Sequence, residues 1–219
     1  MAAFRSGQPT INPRKKSNVS AMAIASVVLA FWFGEPDSPD YGKPKKFWFQ
    51  STPQLDQQIR DEFKSVYQQA LKGDLDTLMQ TPEGSLALVI ILDQFPRNMF
   101  RGTAQAFASD QKALNVAQEA LAEDFDQQLL PIQRAFLYLP FEHSENLEDQ
   151  ERSVALFQEL GDAENLKYAI DHRDTIAQFG RFPHRNAILN RESTKEEIEF
   201  LEKPGVSGFG QTPSPVGKT

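Results

Sequence analysis

The feature that most constrains the fold is the run from Leu86 to Leu92, which is apolar at all seven positions. A helix that is apolar on every side is stable only when other elements surround it. Thr81-Pro82-Glu83, just before the run, has the residue order that begins a helix. A buried strand is the competing interpretation, but the chain offers no partner strand. We therefore predict a central helix that begins at this Thr-Pro-Glu sequence.

Most of the remaining chain also has helical periodicity. Leu55, Ile59, Phe63, Val66 and Ala70 form one apolar stripe between Thr52-Pro53, a predicted helix start, and Gly73, a predicted helix end. Further helices are predicted at 19–33, 103–123, 128–139, from Ser144 to just before Gly161, at 163–179, and after a capping box at Ser193–Glu196. Pro96 and Pro140 are predicted to end helices. The sequence therefore predicts an all-α protein of seven to eight helices packed as antiparallel hairpins.

The length of 219 residues suits a single domain. We predict a helical domain at 19–203, preceded by a disordered basic leader at 1–18 and followed by a disordered tail at 204–219. Residues 19–33 are uncharged but shorter than the roughly 20 residues of a membrane span. A first core helix is the favoured interpretation of this segment, and a targeting segment or a membrane contact are the alternatives.

Composition excludes several classes of protein. The chain has no cysteine, which excludes disulfide scaffolds and cysteine-ligated metals and fits a cytoplasmic location. Residues 1–20 contribute +4 to a net charge of −7, so the rest carries −11 and is a poor partner for nucleic acid. Gly-rich phosphate loops, dinucleotide fingerprints and nucleophile elbows are absent from the sequence, so no cofactor is predicted.

Two corners of similar sequence concentrate the polar motif residues. Phe95-Pro96-Arg97-Asn98 follows the central apolar run, and a longer version, from Phe179 to Asn186, follows the predicted helix at 163–179. All three histidines lie in the motif stretches, together with five arginines and three acids, which are His143, His172, His184, Arg97, Arg101, Arg181, Arg185, Arg191, Asp93, Glu142 and Glu145. Because crowded arginines repel one another unless acids or an anionic ligand intervene, this concentration indicates a site.

The motif positions resemble a bacterial family known as domain of unknown function 924. The matching strings span about residues 28–201 and include Leu92-Asp93-Gln94-Phe95-Pro96-Arg97-Asn98, Tyr138-Leu139-Pro140-Phe141-Glu142-His143-Ser144-Glu145, and His172 through Asn186 with Arg191. The chain departs from the family pattern at Ala30, Leu78 and Asn190. The resemblance implies a tetratricopeptide-like helical fold, that is, a degenerate α-solenoid, and it implies no reaction.

The first hypothesis for the polar residues is a pocket for a small anionic molecule. Its predicted ligand-binding residues are Arg97, Asn98, Arg101, Arg181, His184, Arg185 and Asn186. His143, with Glu142 or Asp93, is the predicted proton-transfer group, although whether the protein is an enzyme is left open. Metal binding is not predicted, because no pair of histidines has the i, i+4 spacing of known motifs.

Two other hypotheses stay open. The chain is an interaction module that grips an acidic or carboxylate-bearing peptide, or every motif residue is structural. In the structural interpretation, arginines bind the last carbonyls of helices, Asn98 or Asn186 takes a left-handed turn, and Ser144 caps a helix. His172 is then a buried neutral imidazole bonded to a carboxylate such as Asp93.

Overall fold

A computed structural model of the chain describes residues 13–48 and 50–203, with side chains from residue 21 onward. In these ranges the chain folds into helices joined by short connections. No strand occurs in these two ranges, which confirms the all-α prediction. The helices are α1 (Pro13–Phe33), α2 (Pro53–Lys72), α3 (Pro82–Val89), α4 (Phe95–Met99), α5 (Asp110–Ala122), α6 (Pro131–His143), α7 (Leu147–Leu160), α8 (Ala163–Phe179) and α9 (Lys195–Leu201). The tetratricopeptide-like arrangement stays a prediction.

Helix α1 contributes one face to the core. Ala21, Ala25, Val28 and Trp32 are buried at spacings of four, three and four residues. The helix begins at Pro13, before the predicted boundary at residue 19, while 1–12 and 204–219 of the predicted leader and tail lie outside the described residues. Within the described ranges, none of the helices combines the length and the apolar character that a bilayer crossing requires.

The predicted central helix is confirmed. Thr81 caps it by accepting a hydrogen bond from the Gly84 N–H, and every residue from Leu86 to Leu92 is fully buried. Helices α1, α5 and α6 pack around α3 and bury its whole circumference. The helix does not end at Val89, because a π-helical turn at Ile90–Gln94 connects α3 directly to α4.

Pro96 does not stop this helix, contrary to the sequence prediction. The hydrogen-bond register of the helix changes at the π turn, where the Phe95 N–H donates to the carbonyl of Ile90, five residues back. Pro96 has no N–H to donate to the carbonyl of Leu92, four residues back. The Ser109 hydroxyl donates to that carbonyl instead, at 2.5 Å. The helix continues to Met99 with this carbonyl bonded from outside the helix.

Other helix boundaries differ from the predicted ones for local reasons. Helix α6 runs through Pro140 to His143, because burial of residues on both sides of the proline outweighs its poor helix propensity. Helix α7 is capped by Asn146, whose side chain accepts two backbone N–H groups, and not by Ser144. The capping box of α9 pairs Thr194 with Glu197. Helix α8 has the predicted bounds, and α2 has the predicted Thr52 cap and Gly73 end.

Candidate functional site

Five residues from distant parts of the sequence form a closed loop of ion pairs and hydrogen bonds, here called the polar ring, and the loop passes through the main-chain carbonyl of His143. The five are Asp93, Arg97, Asp110, His143 and Arg185. Arg97 pairs with Asp93 (Nη1–Oδ1 3.2 Å) and with both carboxylate oxygens of Asp110 (2.9 and 3.0 Å). Asp93 Oδ1 lies 2.8 Å from His143 Nδ1. Arg185 closes the loop by donating to the His143 carbonyl (3.1 Å) and contacting Asp110 Oδ2 (3.5 Å).

The ring is built where helices begin or end. Asp93 lies on the π turn and Arg97 on α4, four residues later, so both project from one side of the helix. Asp110 is the first residue of α5, and His143 is the last residue of α6. Arg185 ends a short 3₁₀ turn at Pro183–Arg185, just after α8. Single π turns within α-helices occur frequently at functional sites, and this one carries Asp93.

Asp93 and His143 form a carboxylate–imidazole pair. Asp93 is fully buried, and although burial opposes its ionisation, Arg97 and His143 lower the pKa of Asp93 to about 2. Burial and the nearby Arg97 lower the pKa of His143, so its imidazole is neutral at neutral pH and Nδ1–H donates to the carboxylate. Nε2 has no hydrogen-bond partner within the described ranges, and 16% of the side chain is exposed. The lone pair on Nε2 is therefore available to a ligand.

The two arginines from the two Phe-Pro corners meet at Asp110. Burial disfavours the charge of Arg97, but Asp110 and Asp93 outweigh it and raise the pKa of Arg97. Both guanidinium groups also lie over the Phe107 ring, Arg97 at 5.8 Å and Arg185 at 4.6 Å from its centroid. The structure therefore brings together Arg97 and Arg185, the pair on which the predicted anion pocket depends.

Arg185, like His143, has incomplete hydrogen bonding. The Arg185 side chain is 8% exposed, and its Nε–H is buried without an acceptor in the described structure. Phe182 packs on the guanidinium as well, 4.5 Å away. Burial, only partly offset by Asp110, lowers the pKa of Arg185 to about 10, so it stays cationic at neutral pH. A buried cation with an unused donor favours an additional anionic partner.

Glu142 and His172 lie behind the ring and are both buried. Burial, and then the charge of Asp93, raise the pKa of Glu142 to about 8, and its Oε2 has no hydrogen-bond partner. His172 Nδ1 lies 2.8 Å from the Tyr168 carbonyl and 3.5 Å from Glu142 Oε1. Burial lowers the pKa of His172 to about 3, so it is neutral as predicted. The carboxylate recorded beside His172 is that of Glu142, whereas Asp93, the example given in the prediction, bonds to His143.

Four predicted ligand-binding residues lie in two other networks. Asn98 and Arg101 both bond to Asp56 near the start of α2, at 2.8 and 2.9 Å. Arg181 and Asn186 both bond to Glu197 of α9, which fastens that short helix to the second corner. Neither asparagine takes a left-handed turn, since Asn98 is inside α4 and Asn186 has a φ of −58°.

The second corner is held against the start of α7 by Glu145 and Arg191. The Glu145 carboxylate accepts hydrogen bonds from the Phe182 N–H (2.8 Å) and from two nitrogens of Arg191 (2.7 and 3.0 Å). Asn190 has a φ of +54°, a left-handed conformation that asparagine tolerates, so the turn that positions Arg191 forms without glycine. His184 lies in this corner with its ring tilted against that of Phe182, 5.5 Å between centroids, and burial lowers the pKa of His184 to about 3.

Asp110 is the ring residue that the motif search missed. It lies between Phe107 and Leu114, at spacings of three and four residues, on the stripe that faces the core. An acid on an otherwise apolar stripe was the available signal. In the described ranges, no three His, Asp or Glu side chains converge in a geometry that holds a metal ion.

Two open depressions on the described surface contain no member of the ring. One lies over α2, around Gln54, Gln58 and Asp61, and the other lies beside Lys45 and Lys46. Buried polar atoms without a partner occur at several places in the described structure, and the ring with its surroundings contains Nε of Arg185, Oε2 of Glu142 and the open Nε2 of His143. The ring, and not either of these depressions, is therefore the candidate site.

The fold and the ring define an all-helical protein in which two Phe-Pro corners meet around one acid–base cluster. The chain belongs to the bacterial protein family of unknown function DUF924, whose model matches residues 28–205, which confirms the resemblance predicted from the motifs. The chain is also similar, at 40% identity and a TM-score of 0.75, to the structure of a protein of unknown function from Agrobacterium tumefaciens, with 83% of this chain and 98% of that chain covered. The search of curated proteins gave no match.

Proposed function

We propose that the polar ring binds a small anion against Arg185 and that His143 transfers a proton to or from the bound molecule. The carrying observation is the pairing of Asp93 with Nδ1 of His143, which leaves Nε2 without a partner in the same ring as Arg185, a cation that has an unused donor. A buried carboxylate that holds one imidazole nitrogen sets the tautomer and orients the other nitrogen.

The chemistry follows from the charges of these groups. Neutral His143 accepts a proton at Nε2 from an O–H or C–H group, or from a water molecule, and the electron pair stays on the atom that loses the proton. Asp93 stabilises the imidazolium that forms, at 2.8 Å from Nδ1. Arg185 holds the anionic group of the ligand, and Arg97 adds positive potential from the other side of Asp110.

The other two hypotheses have less support. A peptide-gripping groove would expose its polar residues, whereas Arg97, Asn98, Arg185 and Asn186 are each no more than 8% exposed. A structural role describes Arg101 and Arg181 well, because each is paired with a carboxylate. It leaves the open Nε2 of His143 unexplained. A cytoplasmic location and the absence of a nucleic-acid partner also remain part of the proposal.

A thermal-shift screen tests the anion site. A ligand that binds only the native state raises the melting temperature, so acetate, inorganic phosphate and a panel of carboxylates and phosphates are compared with neutral analogues. We expect at least one anion to stabilise the wild-type protein and Arg185→Met to lose that stabilisation. Arg152→Met, which removes an exposed arginine of α7, is the matched control and should behave as the wild type. Equal anion shifts in Arg185→Met and Arg152→Met would refute the assigned role.

A further inference from the structure

The fixed charges of the polar ring are already balanced. Asp93 and Asp110 carry two negative charges, Arg97 and Arg185 carry two positive charges, and each arginine contacts at least one of these carboxylates. His143, the fifth member, is neutral because its pKa is lowered. A bound anion would therefore give the ring a net negative charge unless another group in it changes protonation state. Uncompensated charges in buried sites are strongly disfavoured.

The groups that surround His143 do not supply the missing positive charge. Glu142, on α6, has a raised pKa, and His172, on α8, has a lowered one, so both are neutral. His184, on the turn after α8, is also neutral, because its pKa is about 3. The charge of Arg191 is matched by Glu145, at the start of α7. Arg97 on α4 and Asp110 on α5 also face His143, but their charges already belong to the balanced set of the ring.

We infer that the site takes up a small monoanion together with one proton, which adds to Nε2 of His143. This inference rests on the proposed anion site and names what that site selects. Among the titratable groups named above, His143 combines an accessible basic nitrogen with a carboxylate that stabilises its protonated form. The ligand is thus bound as the equivalent of an undissociated acid, and binding strengthens as the pH falls toward the pKa of His143.

The chemistry of Arg185 favours a carboxylate. The guanidinium of Arg185 packs against Phe107 and Phe182, at 4.6 and 4.5 Å, so its hydrogen bonds run outward in its own plane. A planar carboxylate matches such an edge. A phosphate dianion would bring a second negative charge, and the ring has a single histidine to neutralise it. A monocarboxylate is therefore the expected class of ligand.

The test measures the protonation of His143 directly. The chain has three histidines, so selectively ¹⁵N-labelled imidazoles are assigned by single His→Gln substitutions and titrated by NMR across neutral pH. The probe is acetate, and acetamide is its neutral isostere. We expect acetate to raise the pKa of His143 by about 1 to 3, the range for a new opposite charge at close distance, and acetamide to leave it unchanged.

Two variants separate this inference from the proposed function. Arg185→Met, or Arg185→Lys if Met impairs folding, should remove the acetate-dependent rise, while Arg152→Met should keep it. If acetate raises the melting temperature through Arg185 but the pKa of His143 does not move, the proton-coupled inference is overturned and the anion site stands. If acetate causes neither a melting shift nor a change at His143, the inference is overturned, and the wider anion panel decides the proposed function.

Discussion

Replacing Glu142 by Gln should stabilise the protein at neutral pH. Glu142 is 5% exposed, its Oε2 has no partner, and the neighbouring His172 is neutral. Burial and the charge of Asp93 raise the pKa of Glu142 from 4.5 to about 8. The folded state therefore keeps a proton that the unfolded chain releases above pH 4.5. Where the folded state binds more protons, stability falls as the pH rises, so Glu142 costs stability from about pH 4.5 upward, until the pH passes 8.

The magnitude follows from the two pKa values. At pH 7, a carboxyl group whose pKa is 4.5 unfolded and about 8 folded lowers the free energy of unfolding by roughly 3 kcal/mol relative to low pH. Gln has nearly the same shape and does not ionise. The free energy of unfolding of Glu142→Gln, relative to the wild type, should therefore increase by roughly 3 kcal/mol between acidic and neutral pH. Any difference between the two side chains that does not depend on pH cancels in this comparison.

Urea unfolding at several pH values measures this gain, and Glu145→Gln is the matched control. Burial opposes the ionisation of Glu145, but Arg191 and the Phe182 N–H outweigh it and lower its pKa. Its stabilisation is present above the unfolded-state pKa of 4.5 and is lost as the pH falls below it. Glu145→Gln should therefore destabilise at pH 7, opposite in sign to Glu142→Gln. A Glu142→Gln gain that does not change with pH would show that Glu142 is ionised in the native protein, and the reasoning would be wrong.

Two further substitutions test the corner and the histidine. Ser109→Ala should lower the free energy of unfolding by about 1–3 kcal/mol, because the buried Leu92 carbonyl loses its hydroxyl donor, whereas Ser85→Ala, equally buried but without a hydroxyl partner, should be neutral or stabilising. Equal urea midpoints for the two variants would contradict the explanation of the π turn. His143→Gln should change stability by no more than about 1 kcal/mol, since Gln keeps a donor for Asp93; a large loss in thermal unfolding would make His143 structural.

The fold was largely predictable because its signals are local. The Thr52 and Thr81 caps, the Gly73 end and the fully apolar run each act within one or two helical turns. Pro96 and Pro140 were wrongly predicted to end helices, because the interactions that accommodate them involve residues outside the local sequence pattern. Pro96 is tolerated through a hydroxyl 13 residues later in the sequence, and Pro140 through burial of the turns on both sides.

The site was predictable in part for the same reason. Motif spacing identified Asp93, Arg97, His143 and Arg185 as candidates, and the structure places all four in the polar ring. Spacing within a helix does not reveal which acid each arginine meets. That choice depends on how α5 packs against the π turn, and it brings Asp110 to both arginines. The acids that pair with Arg101, Arg181 and Arg191 likewise depend on tertiary packing.

Three unfavourable features coincide at this one place in an otherwise well-packed core. The ring buries ion pairs, and apolar residues of similar volume in such positions are often neutral or stabilising by comparison. The central helix departs from α geometry at Ile90–Gln94, the segment that carries Asp93. Glu142 keeps a carboxyl group where its pKa is raised to about 8, next to the residue with the open Nε2. Such costs persist where the surrounding structure enforces them, and they cluster at functional sites. The proposed proton-coupled anion binding accounts for the buried ions and for the neutral Glu142, because it requires a carboxylate to stabilise protonated His143, a buried cation to hold the ligand, and neutral neighbours that leave the added charge to His143.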